Sequence, residues 1–181
     1  MKTKKAFEYI RSDYFRYYGN YGSTSQIILK AIVSRNHCFR YSFWLRLASI
    51  RGGVIEKYIH HRLSIKYGIQ IPAKTKIGYG LYIGHGVGIV INGSTTIGNN
   101  VNISQFLTIG TNHKTPATIG DNVYIGPGVC IVEDVIIGSN STIGAGAIVT
   151  KDVPTNTTVA GVPAKVIGAN HPEYIQNQVS I

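Results

Sequence analysis

Aliphatic residues recur every six positions along most of the chain: at Ile71, Ile77, Ile83 and Ile89, then at Ile97, Ile103 and Ile109. The same step resumes from Ile119 through Ile125, Ile131, Ile137 and Ile143 to Val149. A second small or apolar position falls four residues after many of these leads, at Leu81, Val87, Val101, Leu107, Val123, Val129, Val135, Ala147 and Val153. A step of six is neither a helical period nor the alternation of one extended strand. It predicts a coil in which each hexad supplies one short parallel strand and a corner, with the leads and the second positions stacked inward as one aliphatic core. Glycine follows the lead at Gly78, Gly84, Gly98, Gly110, Gly120, Gly126, Gly138 and Gly144, where a corner is crowded. The period slips at Asn92-Gly93-Ser94-Thr95 and again at "TNHKTPAT", residues 111–118. Extra residues must leave a solenoid as loops, and loops on a rigid scaffold commonly carry chemistry.

Upstream the spacing changes. Residues 37–51, "HCFRYSFWLRLASIR", place Phe39, Phe43, Leu47 and Ile50 at helical intervals before Gly52-Gly53 breaks the pattern. A second helix over 54–66 places Ile55, Ile59 and Leu63 on one stripe and ends at Gly68. The first 36 residues predict a helix with a flexible turn at "GNYGSTS". The chain therefore divides into a helical segment over 1–68, a coil over 69–168 and a tail over 169–181.

Charge follows the same division. Residues 1–68 hold thirteen Lys and Arg against Glu8, Asp13 and Glu56, which accounts for the whole net charge of +10, and they carry eight of the twelve tyrosines. Such a segment suits helices packed on the coil with a solvated positive face. It also suits peripheral contact with an anionic polysaccharide or a membrane surface. No nucleic-acid module is present. With 44% hydrophobic and 14% charged residues the chain reads as globular, and its basic start lacks the apolar run of a signal peptide. Cys38 and Cys130 lie far apart and outside any ligand spacing, so neither a disulfide framework nor a metal site is expected, and a cytoplasmic location fits.

The segments "IGDNVYIGPGV", "IGAGAIVTKDV" and "VAGVPAKVIG" resemble the hexapeptide-repeat acyltransferases. That resemblance covers about residues 68–168 and implies a mainly β fold: a left-handed parallel β-helix acting as a homotrimer, here with a short α-helical N-terminal segment. Within it, "GIQIPAKTKIG" and "IGHGVGIVI" are similar to serine acetyltransferases and to the colanic-acid and capsule type of O-acetyltransferase. In those enzymes a histidine at the position of His85 serves as general base, as befits a ring that titrates near neutrality.

Two departures bear on the acceptor. Serine acetyltransferases carry aspartates where this chain has Gly84 and Gln70. Without a carboxylate the imidazolium is less stabilised and the ammonium of serine loses a partner. The expected acceptor is therefore a hydroxyl of a cell-surface or capsular saccharide. Serine, with a shortened serine acetyltransferase, is the alternative, and a repeat scaffold or polysaccharide-binding module without catalysis is a third class. Galactoside and maltose acetyltransferases place their histidine in a loop similar to that of His113, so the choice of principal base between His85 and His113 stays open, with Asn112 and Lys114 beside the latter.

The resemblance implies acetyl-CoA as donor, lying along the coil against main-chain groups of Gly126, Ala145 and Ala160, with Thr150, Lys151 and Lys165 near its nucleotide end. Small residues admit a close backbone approach and the lysines suit phosphates. Other chemistries fail on the residues: no GxSxG or complete GxGxxG occurs, and only two histidines lie in the repeats, too few for a three-histidine zinc site.

Overall fold

The computed structural model describes residues 1–112, 115–169 and 175–180. It opens with four helices: α1 (Lys2–Tyr18), α2 (Thr24–Val33), α3 (His37–Ile50) and α4 (Val54–Tyr67). The first 36 residues thus hold two helices where the pattern predicted one. The turn between them is built from a stop and a start. Gly19 closes α1 in the left-handed region at φ 70°, and Ser23 opens α2 through a capping box with Gln26. Phe39, Phe43 and Leu47 of α3 are buried as expected, and with Ala6, Ile10, Tyr14, Ile27 and Ala31 they form a core separate from that of the coil. The expected stripe on α4 is only half covered. Ile55 is 70% exposed, because α4 packs chiefly on α3 and the first strand and turns His60 to that contact instead.

Fifteen short strands follow among the described residues. They are β1 (Ile69–Gln70), β2 (Lys76–Ile77), β3 (Tyr82–Ile83), β4 (Ile89–Ile91), β5 (Thr96–Ile97), β6 (Asn102–Ile103), β7 (Thr108–Ile109) and β8 (Thr118–Ile119), then β9 (Tyr124–Ile125), β10 (Cys130–Ile131), β11 (Ile136–Ile137), β12 (Thr142–Ile143), β13 (Ile148–Val149), β14 (Thr157–Ala160) and β15 (Lys165–Ala169). Every third strand pairs in parallel with the one below it, giving three sheets, β1-β4-β7-β10-β13, β2-β5-β8-β11 and β3-β6-β9-β12-β14, with β15 added antiparallel to the last. This is the left-handed parallel β-helix, about four turns long. The leads from Ile83 to Val149 are buried, each at 2% exposure or less.

Most corners follow one rule, with a left-handed residue three positions after the lead: Gly80, Asn100, Phe106, Asn122, Gly128, Asp134, Asn140 and Gly146. The corner after Ile83 breaks it. Here the left-handed residues are His85, at φ 52°, and Gly88. The extra twist turns Gly86 inward and leaves Val87, expected in the core, 46% exposed.

The helices are fastened to the first coil by buried polar groups. Asp13, fully buried, receives Arg46 Nε at 2.8 Å, the Ser42 hydroxyl, and the Leu81 N–H at 2.9 Å. Arg46 also donates to the carbonyls of Ile77 and Gly78. Arg16 donates to Gly80 O, to Gln176 O and to Asn102, and burial brings its guanidinium down to about 10, still charged at neutral pH. Two of the positive charges that drew attention in the sequence thus act inside the fold. The segment drawn as a tail also has fixed partners: Ile175 is buried, and Asn100 and Val179 exchange two hydrogen bonds of 2.9 and 3.0 Å. No helix among the described residues is long and apolar enough to cross a membrane.

Candidate active site

His85 sits exposed at the irregular corner, and its neighbours on the chain are held from outside the coil. The Tyr17 hydroxyl accepts from the Ile83 N–H at 2.9 Å and donates to Ile83 O at 3.2 Å. Burial holds that phenol well above its usual pKa, so it remains a donor. On the other side of His85, Cys38 Sγ accepts from the Gly86 N–H at 3.1 Å, and His37 Nε2 donates to Gly86 O at 3.2 Å. Burial raises the Cys38 thiol and keeps it neutral in this role. A non-glycine residue in the left-handed region costs energy unless its surroundings fix it. Three helical side chains supply that constraint, one residue or two to each side of His85.

None of the three was singled out from the sequence. Their partners lie 48 to 66 residues away along the chain, beyond any local pattern. Gly84 has room for a side chain: a Cβ there would meet the Tyr82 ring at 3.4 Å, an ordinary contact. Backbone crowding therefore does not require glycine at this position.

Gln70 pairs with Val90 beside this corner, since Gly86 packs on Ile69. Its side chain lines a cavity of about 410 Å³ with His60, His61 and Ser64. Asn112 is at the start of the long loop, where its N–H donates to Glu133 Oε2 at 2.7 Å and the Thr111 hydroxyl donates to the same oxygen. Glu133, unremarked in the sequence, anchors the loop. His113 and Lys114 lie outside the described residues, as does His171.

The residues expected along the donor divide into two groups. Gly126, Ala145 and Ala160 occupy one column on successive coils: a Cβ on Gly126 would come within 2.9 Å of Ala145 N, and one on Gly144 within 3.0 Å of the Ala160 Cβ. Close stacking of the coils requires small residues there, and it leaves backbone within reach of a thin ligand arm. Lys165 continues the column as the partner of Ala160 across the β14–β15 ladder. Thr150 and Lys151 are exposed at another corner, following β13.

Residues 116–151 match the family described as bacterial transferase hexapeptide, six repeats. Hexapeptide repeats of that family's kind are thus present in the chain, and the coil seen in the structure extends to both sides of the matched residues. This hexapeptide-repeat chain is 34% identical to a serine acetyltransferase of Synechococcus elongatus over 134 residues, 72% of its own length and 54% of the relative's. It is 40% identical to the chloroplastic serine acetyltransferase 1 of Arabidopsis thaliana over 119 residues, which are 64% of this chain and 38% of that one. It spans about half the length, or less, of such curated relatives. Among solved structures, soybean serine acetyltransferase complexed with serine superimposes with a TM-score of 0.71 at 29% identity, covering 92% of this chain and 69% of that one. A Brucella abortus serine acetyltransferase in complex with coenzyme A gives 0.73 at 26% identity, covering 93% and 73%.

Proposed function

We propose that this chain is an acetyl-CoA-dependent O-acetyltransferase, working as a homotrimer in the cytoplasm with His85 as general base. The observation that carries the reading is an exposed histidine held in the left-handed region between two immobilised peptides, Ile83 and Gly86. His85 takes the proton of the acceptor hydroxyl as that oxygen attacks the thioester carbonyl. Main-chain N–H groups of the coil stabilise the oxyanion, and CoA leaves as the thiol without an acyl-enzyme. Gly126, Ala145, Ala160 and Lys165 fit the donor as one continuous column, whereas Thr150 and Lys151 would reach only its far end.

Serine becomes the leading acceptor in place of the saccharide expected from Gly84 and Gln70. What supports it is relatives at 34 to 40% identity that bear the name serine acetyltransferase, together with the likeness to a serine complex. A saccharide hydroxyl remains the second reading on one observation: Gly84 has space for a Cβ yet carries no side chain, and so no carboxylate. His85→Ala should lower CoA release about 10²- to 10⁴-fold while CoA binding persists. Unchanged turnover in that variant would reject the assignment, and L-serine assayed against a saccharide panel chooses between the acceptors.

A further inference from the structure

Among the described residues, the non-glycine residues held in the left-handed region are Asn or Asp, with two exceptions: His85 at φ 52° and Phe106 at φ 60°. Asn and Asp tolerate that conformation because their short polar side chains bond locally, whereas a bulky side chain there is strained. The two exceptions lie together. Strand β3, which leads into His85, pairs with β6, which leads into Phe106. The Phe106 N–H donates to Val87 O at 2.9 Å, two residues beyond His85. Strain that persists at neighbouring positions of adjoining coils is the mark of a site.

Core packing does not offset the strain at Phe106. The residue is 58% exposed, beside an exposed Val87, so the ring adds an apolar face to the surface rather than to the interior. Its direction is fixed by Gly88. A Cβ built on Gly88 would stand 2.5 Å from Phe106 Cδ1 and 3.0 Å from Cε1, so the ring lies over that glycine and needs it there. On the opposite side the ring is absent: a Cβ on Gly128, at the same corner of the next coil, would meet only Gly146 backbone at 3.8 Å. The ring thus leans towards the coil of His85 and away from the column of Gly126 and Ala145. It stands on the acceptor's side of the site, not on the donor's.

An acceptor that uses such a ring carries its hydroxyl on a body with an apolar face of its own. A pyranose has one: axial C–H bonds crowd one face of the sugar and cover an aromatic π-surface, while the hydroxyls point to the rim. Free serine has no such face. We propose that the His85 site also acetylates a hydroxyl on a pyranose ring, with the Phe106 side chain as the platform that binds the sugar. This rests on the acyl-transfer reading and extends its acceptors beyond serine. The pyranose hydroxyl gives its proton to His85 as its oxygen bonds to the acetyl carbon. The carbon–sulfur bond then breaks, and the CoA thiolate takes the proton from the imidazolium.

The test gives the full chain acetyl-CoA with the methyl pyranosides of glucose, galactose and mannose, and separately with L-serine. It reads CoA release together with saturation-transfer NMR of the sugar protons. Wild type should release CoA with at least one glycoside and transfer saturation to its ring C–H protons. Phe106→Asn, which places at this corner a side chain used at others, should raise the melting temperature and raise the glycoside KM about tenfold, with kcat and the KM for acetyl-CoA little changed. Phe106→Tyr should restore the glycoside KM. The platform is overturned if wild type shows no saturation transfer to any glycoside, if Phe106→Asn keeps the wild-type glycoside KM, or if that variant raises the KM for acetyl-CoA instead. A lower melting temperature with loss of the oligomer would overturn it too, because the ring would then be a subunit contact. CoA release with L-serine in a protein that ignores the glycosides rejects this inference alone. Saturation transfer that depends on Phe106, with no CoA release from any acceptor, rejects the acyl-transfer reading and the activity proposed here with it.

Discussion

At the corner around Gly126, the chain's close neighbours come from the coil above or below, and the contacts are aliphatic stacking and ladder hydrogen bonds. At the corner around His85 they come from α1 and α3 as well, and they are specific polar groups: a phenol, a thiol and an imidazole aimed at backbone atoms. The first corner repeats because nothing but its own coil shapes it. The second departs from the repeat, and its departure is what carries a histidine in a strained conformation. Regularity in this molecule marks scaffold, and irregularity stabilised from outside marks the candidate chemistry.

The comparison can be broken most forcefully at Asp13. Replacing it with Ala leaves the Arg46 guanidinium buried without its counter-ion, and should cost about 3–5 kcal/mol in denaturant unfolding. A loss below 1 kcal/mol would mean the helices are not fastened as described. On the distal side, Ile125→Ala removes a fully buried lead and should cost about 2–4 kcal/mol. Hydrogen exchange should then quicken in the neighbouring coils and not in α1 to α4, as expected where each repeat contacts only its neighbours.

His60 gives the helical end a pH signature. It is 6% exposed and shares a 3.0 Å hydrogen bond with the Tyr41 hydroxyl, and burial, aided by the charge of His61, lowers it to about 4. The unfolded chain binds that proton near pH 6.5. The stabilisation from neutral His60 is therefore complete above that pH and is lost as pH falls towards 4, by about 2 kcal/mol. His60→Gln should flatten this limb of the stability profile, and an unaltered slope would reject the cause. The smallest effect is expected at Tyr17→Phe. Stability should fall by about 1 kcal/mol, but kcat should fall about tenfold with KM little changed, because the Ile83 peptide loses the group that orients the corner. If kcat and stability both stay at wild-type values, the Tyr17 contact does not position His85.

The coil was legible in the sequence because a solenoid writes the same local requirement into every turn: an inward aliphatic, then a residue that tolerates the corner. Ile119 to Val149 needed no knowledge of distant residues. Val87 was misplaced because the period was carried through a corner whose geometry is set by Tyr17 and Cys38. The same limit hid Glu133 and the Asp13–Arg46 pair, whose meaning depends on partners 21 to 33 residues away or more. His85 stood out by residue type alone, but what holds it could be found only in three dimensions.

The bonds from Arg16 to Gln176 and from Asn100 to Val179 join residues 160 and 79 positions apart. A coil can grow turn by turn as its residues become available, each new strand finding its partner about twenty residues back. The α1 helix packs on α3 over short separations, but its Arg16 bond to Gln176 closes only when segments 160 positions apart meet. That closure is thus expected to be the slow event in the folding of these residues, governed by the longest of the loops described.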